Sequence, residues 1–285
     1  MGQVQISLPQ HPPRGLGQTM RQGMWWVGPA AVFAGFTAFI VYSTWAALQS
    51  DHYWLNSGGQ HYLSPFYSPV FFDAAGKVSG HAWFGQPPDW LLKLFPSFIA
   101  FSPAFLILWV PAGFRFTCYY YRGAYYKAFW ADPPSCSVGE PGFRGTNYRG
   151  EQKFPLVLQN IHRYFFYLAA LFIGLLAWDA LLAFRFTDPT DGTVKFGVGV
   201  GTLVLVINPI LLGCYTFGCH VLRHLAGGKH DHLSQLGARR PVYDCVSCLN
   251  RRHMMWAWFS LFWVGFTDVY IRMCSMGVWT DVRLL

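Results

Sequence analysis

Five long apolar stretches restrict the fold of this chain more than any other feature of its sequence. They cover residues 25–48, 94–114, 164–184, 196–222 and 254–271. An α-helix of about 20 apolar residues is long enough to cross the hydrocarbon core of a bilayer. Charged residues make up only 12% of the sequence, whereas soluble domains contain about 25%. The sequence therefore predicts an all-α integral membrane bundle of five transmembrane helices.

These stretches define one membrane domain, residues 25–285, behind an N-terminal tail of residues 1–24. The tail is polar and rich in Pro and Gly, which is typical of a disordered or partner-bound segment. Three prolines, Pro96, Pro103 and Pro111, interrupt the second stretch. Because proline lacks the backbone N–H that a helix interior requires, we expect kinks there, which neighbouring helices can tolerate.

Lys and Arg are distributed unevenly between the segments that connect the stretches. Segments 1–24, 115–163 and 223–253 carry 15 of the 21, and the remaining segments carry 6. Because positively charged loops stay on the cytoplasmic side, we expect a cytoplasmic N-terminus in a multi-pass protein of the plasma membrane. The net charge of +8 then reflects residues that flank the membrane. Lipid is therefore an expected partner, and nucleic acid is not.

Cysteines and histidines gather at the helix ends that are predicted to face the cytoplasm. The candidate metal ligands are Cys118, Cys136, Cys219, His162, His220, His224 and His253. A reducing cytoplasm argues against disulfides, and thiolates beside imidazoles suit zinc, haem or an iron–sulfur cluster. Successive residues of a helix point about 100° apart, so one helix cannot aim all its thiols and imidazoles at one centre. Ligands from several helix ends are therefore expected.

Two further cysteines, Cys245 and Cys248, have the Cys-x-x-Cys spacing and precede His253 by a few residues. This spacing occurs in small zinc sites. No second cysteine pair with the same spacing accompanies it in the sequence. The motif is therefore only a weak indication of zinc.

The segment RFTCYYYRGAYYKAFW, residues 115–130, combines tyrosines with basic residues directly after the second stretch. Tyrosine favours the membrane interface, where one end of its ring is apolar and the other is wet. Tyr119 and Arg122 are three residues apart and share one face if the segment is helical. The segment predicts an interfacial helix, a docking surface for a soluble partner, or a quinone pocket.

Asp179, Asn208 and Asp268 lie inside the predicted spans. Polar side chains at membrane depth face the interior of a bundle. They indicate hydrogen bonds between helices or, in a different class of protein, a pathway for a small solute. A cofactor-free anchor or transporter therefore stays open as an alternative.

Four segments in chain order resemble one known family: RFTCYYYRGAYY, LQNIHRYFFYLAA, YTFGCHVLRHLAGG and RRHMMWAWFSL. Together they are similar to the membrane subunit of actinobacterial succinate dehydrogenase 1, the type F respiratory complex II known from mycobacteria. The resemblance covers the chain from about residue 25 to the C-terminus. Any one of the four segments alone would be weak, and their order makes the resemblance specific.

This resemblance implies a membrane anchor and electron-transfer subunit of a succinate:quinone oxidoreductase, an enzyme of the tricarboxylic acid cycle. In that family a flavoprotein subunit oxidises succinate and an iron–sulfur subunit carries electrons onward. The membrane subunit anchors both of these partners and passes the electrons to a quinone. No catalytic residue of a complete soluble active site is expected on this chain.

The resemblance also implies a Rieske-type [2Fe–2S] cluster, which needs two Cys and two His ligands. We expect them among the seven candidates named above. Tyr119, Arg122 and Trp256 are predicted quinone contacts on the basis of their position alone. The alternative cofactor is haem b between His162 and either His220 or His224.

Overall fold

The computed structural model describes residues 23–73, 82–96, 100–130, 156–188, 190–228 and 230–285. The predicted N-terminal tail lies outside the described residues except for its last two positions. The α-helices are α1 (Val27–Gln49), α2 (Asp89–Leu92), α3 (Trp109–Phe116), α4 (Tyr119–Phe129), α5 (His162–Leu182), α6 (Val200–Phe217), α7 (His220–Gly227), α8 (Arg240–Arg251) and α9 (His253–Ser275). The strands are β1 (Trp54–Ser57), β2 (Gln60–Leu63), β3 (Arg185–Thr187) and β4 (Val194–Phe196).

Three helical segments of the described residues are long and apolar enough to cross a membrane, judged by length and composition. They are Val27–Gln49, Val157–Leu182 and Val200–Phe217. They match the first, third and fourth apolar stretches of the sequence. Helix α9 has 23 residues, the same length as α1, but it is less apolar than these three segments. The expectation of a mostly helical membrane protein is therefore confirmed.

The second predicted span is not one continuous helix. A 3₁₀ helix, Pro103–Leu106, precedes the short helix α3. Pro103 occupies the first position of the 3₁₀ helix, and Pro111 lies in the first turn of α3. Helix starts tolerate proline because the N–H groups there have no partner within the helix. The prolines thus divide this segment where the sequence predicted only kinks.

Helix α6 lies in the centre of the bundle and packs against α5 and α9. Helix α3 packs against α5, and α1 packs against α4 and α9. The core where these helices meet is formed largely by buried aromatic side chains, including Phe114, Tyr121, Phe166 and Tyr215. This aromatic core surrounds the ends of α3 and α6, where the candidate ligands lie.

The aromatic segment after α1 is folded into the protein. Strands β1 and β2 form an antiparallel hairpin in which Trp54 pairs with Leu63. Tyr62 and Tyr67 are fully buried, and the Tyr67 hydroxyl donates to the Ala46 carbonyl at 2.8 Å. Two small hairpins, β1–β2 and β3–β4, therefore supplement the predicted all-α bundle.

Carboxylates at the same end of the bundle hold these connections in place. Asp268 and Arg272 form a fully buried ion pair with 3.2 Å between Oδ2 and Nε, and the hydroxyls of Tyr42 and Ser64 also donate to Asp268. Asp179 accepts a hydrogen bond from Ser68. Both carboxylates that the sequence suggested for a solute pathway thus hold loops and helices together.

The exposed β3–β4 turn is stabilised by its own charges. Lys195 and Asp188 form an ion pair at 2.7 Å. The hydrogen bond from Lys195 holds the pKa of the Asp188 carboxyl below its usual range, and the Thr190 hydroxyl adds to the effect. This turn separates the part of the chain that ends with α5 from the part that begins with α6.

Candidate metal centre

Two cysteines and two histidines from four helix ends meet inside the bundle. Cys118 directly precedes α4, Cys219 directly precedes α7, His162 begins α5 and His253 begins α9. His162 Nε2 lies 3.1 Å from Cys219 Sγ, and His253 Nε2 lies 3.7 Å from Cys118 Sγ. The two cysteines are close enough to interact, as are the two histidines. Four of the seven ligand candidates thus form two Cys–His pairs.

Both cysteines occupy breaks between helices. Cys118 has φ −65° and ψ 130°, and Cys219 has φ −70° and ψ 147°, so each is extended where the next helix begins. The first N–H groups of a helix have no partner within the helix and carry partial positive charge. Both cysteines therefore lie at the N-terminal end of a helix, α4 or α7.

A glycine permits the second break. Gly218 lies between α6 and Cys219, and a Cβ atom there would come within 2.7 Å of the Cys214 carbonyl oxygen. Asn250 on α8 donates to the Gly218 carbonyl at 2.8 Å. Helix α8 therefore closes over the backbone that positions Cys219.

Aromatic rings fix both imidazoles. Phe114 stacks on His162 with ring centroids 4.5 Å apart, and Tyr215 stacks on His253 at 4.9 Å. Phe114 and Tyr215 also contact each other edge to face at 5.5 Å. The two rings thus form a shared wall that limits access of water to the four ligand candidates.

Thr117 sets the proton position on one imidazole. Its hydroxyl donates to the Gly113 carbonyl at 2.7 Å, and its oxygen lies 2.9 Å from His162 Nδ1. A hydroxyl has a single proton to donate. The Thr117 oxygen therefore accepts from His162 Nδ1–H, which leaves the lone pair of Nε2 directed at Cys219. On the other imidazole, His253 Nδ1 is buried without a hydrogen-bond partner.

Arg115 lies between these side chains and an apolar cavity. Its guanidinium donates to the Tyr121 hydroxyl at 2.5 Å and to Ser260 Oγ at 3.0 Å, and it lies 4.8 Å from the centroid of the Tyr215 ring. The cavity has a volume of about 130 Å³, and apolar side chains of α1, α3, α5, α6 and α9 line it together with Arg115 and Tyr215. The Tyr215 hydroxyl is buried and has no hydrogen-bond partner.

The other candidate ligands lie elsewhere. His220 and His224 contact each other edge to face at 4.5 Å on the exposed side of α7. Cys136 lies outside the described residues. Cys245 and Cys248 are exposed on α8. Within the described residues, no three His, Cys, Asp or Glu side chains are grouped closely enough to hold a single metal ion.

The three predicted quinone contacts do not form one cluster. The Arg122 guanidinium lies 4.7 Å from the ring centroid of Tyr119, which is exposed. Trp256 packs against the aromatic core on α9, and in the described part of the chain no hydrogen bond or ring contact joins it to that pair. Arg122 Nη1 and Trp256 Nε1 are both buried without hydrogen-bond partners.

Sequence reasoning missed Thr117, Tyr215 and the inward position of Arg115. Thr117 directly precedes Cys118 and Arg115 lies three residues before it, and this closeness to a candidate ligand is the signal that could have drawn attention to both. Tyr215 lies four residues before Cys219 within an apolar stretch. Nothing in the sequence distinguishes it from the other aromatic residues of the core.

Comparison with known proteins identifies the family. The family model described as actinobacterial succinate dehydrogenase subunit SdhC matches residues 27–277. The chain belongs to this SdhC family. It is therefore a membrane-anchor subunit of an actinobacterial succinate dehydrogenase, as the four sequence motifs predicted. No curated protein matches the chain.

A solved structure agrees with the SdhC assignment. The chain is similar to a chain of the Mycobacterium smegmatis Sdh1 complex in the apo form, with 38% sequence identity and a TM-score of 0.79. The similarity covers 97% of this chain and 96% of that chain. The SdhC family and the fold are therefore shared along nearly the whole length of both chains.

Proposed function

We propose that this chain relays electrons from the iron–sulfur subunit of succinate dehydrogenase to a quinone through a Rieske-type [2Fe–2S] cluster. In this proposal Cys118, Cys219, His162 and His253 hold the cluster. The observation that carries the proposal is the meeting of two thiols and two imidazoles from four separate helix ends. The chain also anchors the flavoprotein and iron–sulfur subunits to the plasma membrane.

The donor set fits such a cluster. A Rieske-type cluster takes two cysteines on one iron and two histidines on the other. The His253 Nδ1 atom has no partner, and each cysteine occupies the position directly before a helix. The four side chains form two Cys–His pairs, and within the described residues no three of them make one compact group.

When bound, a [2Fe–2S] cluster supplies reversible one-electron transfer. The protein's own residues prepare the site. Helices α4 and α7 begin directly after Cys118 and Cys219 and so fix the backbone of both cysteines. Phe114 and Tyr215 hold the imidazoles by stacking, and Thr117 directs the Nε2 lone pair of His162 toward Cys219.

The cavity beside the centre is suited to a quinone head group. Apolar walls accept the ring and tail, while Arg115 and the unpartnered Tyr215 hydroxyl offer donors for a carbonyl oxygen. A second proposed quinone site lies at Tyr119, Arg122 and Trp256. Arg122 and Trp256 also have buried hydrogen-bond donors without partners. If the quinone binds in the cavity, Tyr215→Phe will raise the KM for quinone and Trp256→Phe will not. The opposite pattern supports the second location.

The membrane topology is part of this proposal. We infer that the segment containing α3 and the helix α9 also cross the membrane, which gives five spans with the N-terminus in the cytoplasm. The distribution of Lys and Arg supports this orientation. In this orientation the candidate centre lies toward the cytoplasmic side, near the soluble subunits.

The decisive experiment replaces both proposed histidine ligands. We expect the His162→Ala/His253→Ala complex to lose quinone reduction and the electron paramagnetic resonance signal of the cluster. Succinate oxidation with a soluble dye will persist, since the flavoprotein is untouched. His220→Ala/His224→Ala is the matched control and will retain all three properties. Quinone reduction at the wild-type rate in the first variant would refute the proposal.

Haem b is the remaining alternative for the cofactor. In the described residues His220 and His224 lie exposed on α7, whereas His162 is buried beside Cys219, so the structure does not favour a haem held by such a pair. Reduced haem gives a sharp visible absorption band, and a Rieske-type cluster does not. A spectrum of the reduced complex therefore separates the two cofactors, and iron analysis of the purified membrane subunit tests the cofactor-free anchor.

A further inference from the structure

Arg115 carries a positive charge beside the candidate centre. We propose that it is the charge-compensating residue of this centre. Its guanidinium balances the negative charge that each electron brings and so raises the reduction potential. The inference rests on the proposed function, because it requires a redox centre at the four ligands.

Among the described residues, the hydrogen-bond acceptors of Arg115 are neutral. One nitrogen, Nη1, donates to the Tyr121 hydroxyl at 2.5 Å and to the Ala257 carbonyl at 3.2 Å, and Nη2 donates to Ser260 Oγ at 3.0 Å. No carboxylate pairs with Arg115 in the described residues. A cation that is withdrawn from water is normally paired, as Arg272 is with Asp268.

The position of Arg115 couples its charge to the centre. It lies three residues before Cys118, and its guanidinium packs on the Tyr215 ring, which stacks in turn on His253. Arg115 is also close enough to His253 to act on it electrostatically. The same side chain lines the apolar cavity. Arg115 therefore places a positive charge near both the candidate centre and the wall of the cavity.

Partial burial strengthens the effect of this charge. Electrostatic interactions are weakly screened in an apolar interior, so a fixed cation favours a neighbouring state with one more negative charge. One-electron reduction of the centre adds that charge. In the described part of the chain no carboxylate pairs with Arg115 to cancel this charge.

Redox titration of the intact complex, monitored by electron paramagnetic resonance, tests this role. Arg115→Gln retains hydrogen bonding and removes the charge, whereas Arg115→Lys retains the charge. We expect the glutamine variant to shift the reduction equilibrium about tenfold toward the oxidised state, which is about 59 mV for one electron. The lysine variant will keep a potential close to that of the wild type.

A second pair of variants leaves Arg115 in place. Ser260→Asp puts a carboxylate beside Nη2, and Ser260→Asn is its neutral control. The aspartate variant will lower the potential as Arg115→Gln does, and the asparagine variant will not. Equal potentials in all variants, or loss of the signal in Arg115→Lys as well as Arg115→Gln, would overturn the role of Arg115. A wild-type complex without a Rieske-type signal beyond the signals of the iron–sulfur subunit would instead overturn the proposed function.

Discussion

Thr117 illustrates how much of the site depends on single atoms. Its oxygen receives the proton of His162 Nδ1 because its own proton is donated to Gly113. Partners of this kind fix the ring orientation of a metal-ligating histidine. The sequence identified His162 and could not identify its partner, since threonine is common and contacts between distant residues leave no local pattern.

Replacing Thr117 tests the proposed ligand set at the residue scale. Thr117→Val keeps the shape of the side chain and leaves His162 Nδ1 without an acceptor. Outer-shell partners typically contribute about 10–100-fold to metal affinity. We expect iron content to fall in Thr117→Val complexes and to be retained in Thr117→Ser, which keeps the hydroxyl. Full iron content and an unchanged resonance signal in both variants would show that Thr117 has no such role.

At the scale of elements, the length of the apolar stretches predicted where helices lie, but the sequence did not predict where the helices break. The stretches at 25–48 and 164–184 predicted α1 and α5 closely, because hydrophobic length is a property of the sequence alone. The stretch at 196–222 predicted one helix, whereas the structure divides it at Gly218 and Cys219. This break turns Cys219 inward and leaves His220 and His224 on a different helix from Cys214.

The division matters because it decides which residues can be ligands. Sequence analysis named all four residues that meet, but it could not separate them from His220 and His224. Helical geometry applied to an unbroken helix gives the wrong faces beyond Gly218. The break depends on contacts with Leu249 and Asn250 of α8, which are distant in the sequence.

Gly218→Ala tests this break directly. The added Cβ atom would approach the Cys214 carbonyl oxygen to 2.7 Å, so the turn has to shift and Cys219 moves with it. Overpacking of this kind destabilises proteins by about 1–3 kcal/mol. We expect a lower thermal unfolding temperature and reduced iron content. Gly174→Ala in α5 is the control, since its Cβ would meet no atom within 4 Å.

At the scale of the whole molecule, the uneven distribution of Lys and Arg makes a prediction that the fold alone does not test. The exposed thiols Cys245 and Cys248 should face the cytoplasm, and the exposed Thr190 in the β3–β4 turn should face outward. In intact cells, an impermeant thiol reagent should therefore label an exposed Thr190→Cys and leave Cys245 and Cys248 unmodified. Labelling of the native pair without cell lysis would contradict the proposed orientation.

The four ligand candidates come from two consecutive parts of the chain, one before and one after the β3–β4 turn. Each of their two contacts joins one part to the other. Cys118 precedes α4 and contacts His253 at the start of α9, whereas Cys219 precedes α7 and contacts His162 at the start of α5. A cut in the turn between β3 and β4 would leave each fragment with one thiol and one imidazole, too few to retain iron. Iron uptake after co-expression of the two fragments would then show that they associate, as recovered activity shows for the fragments of a split enzyme.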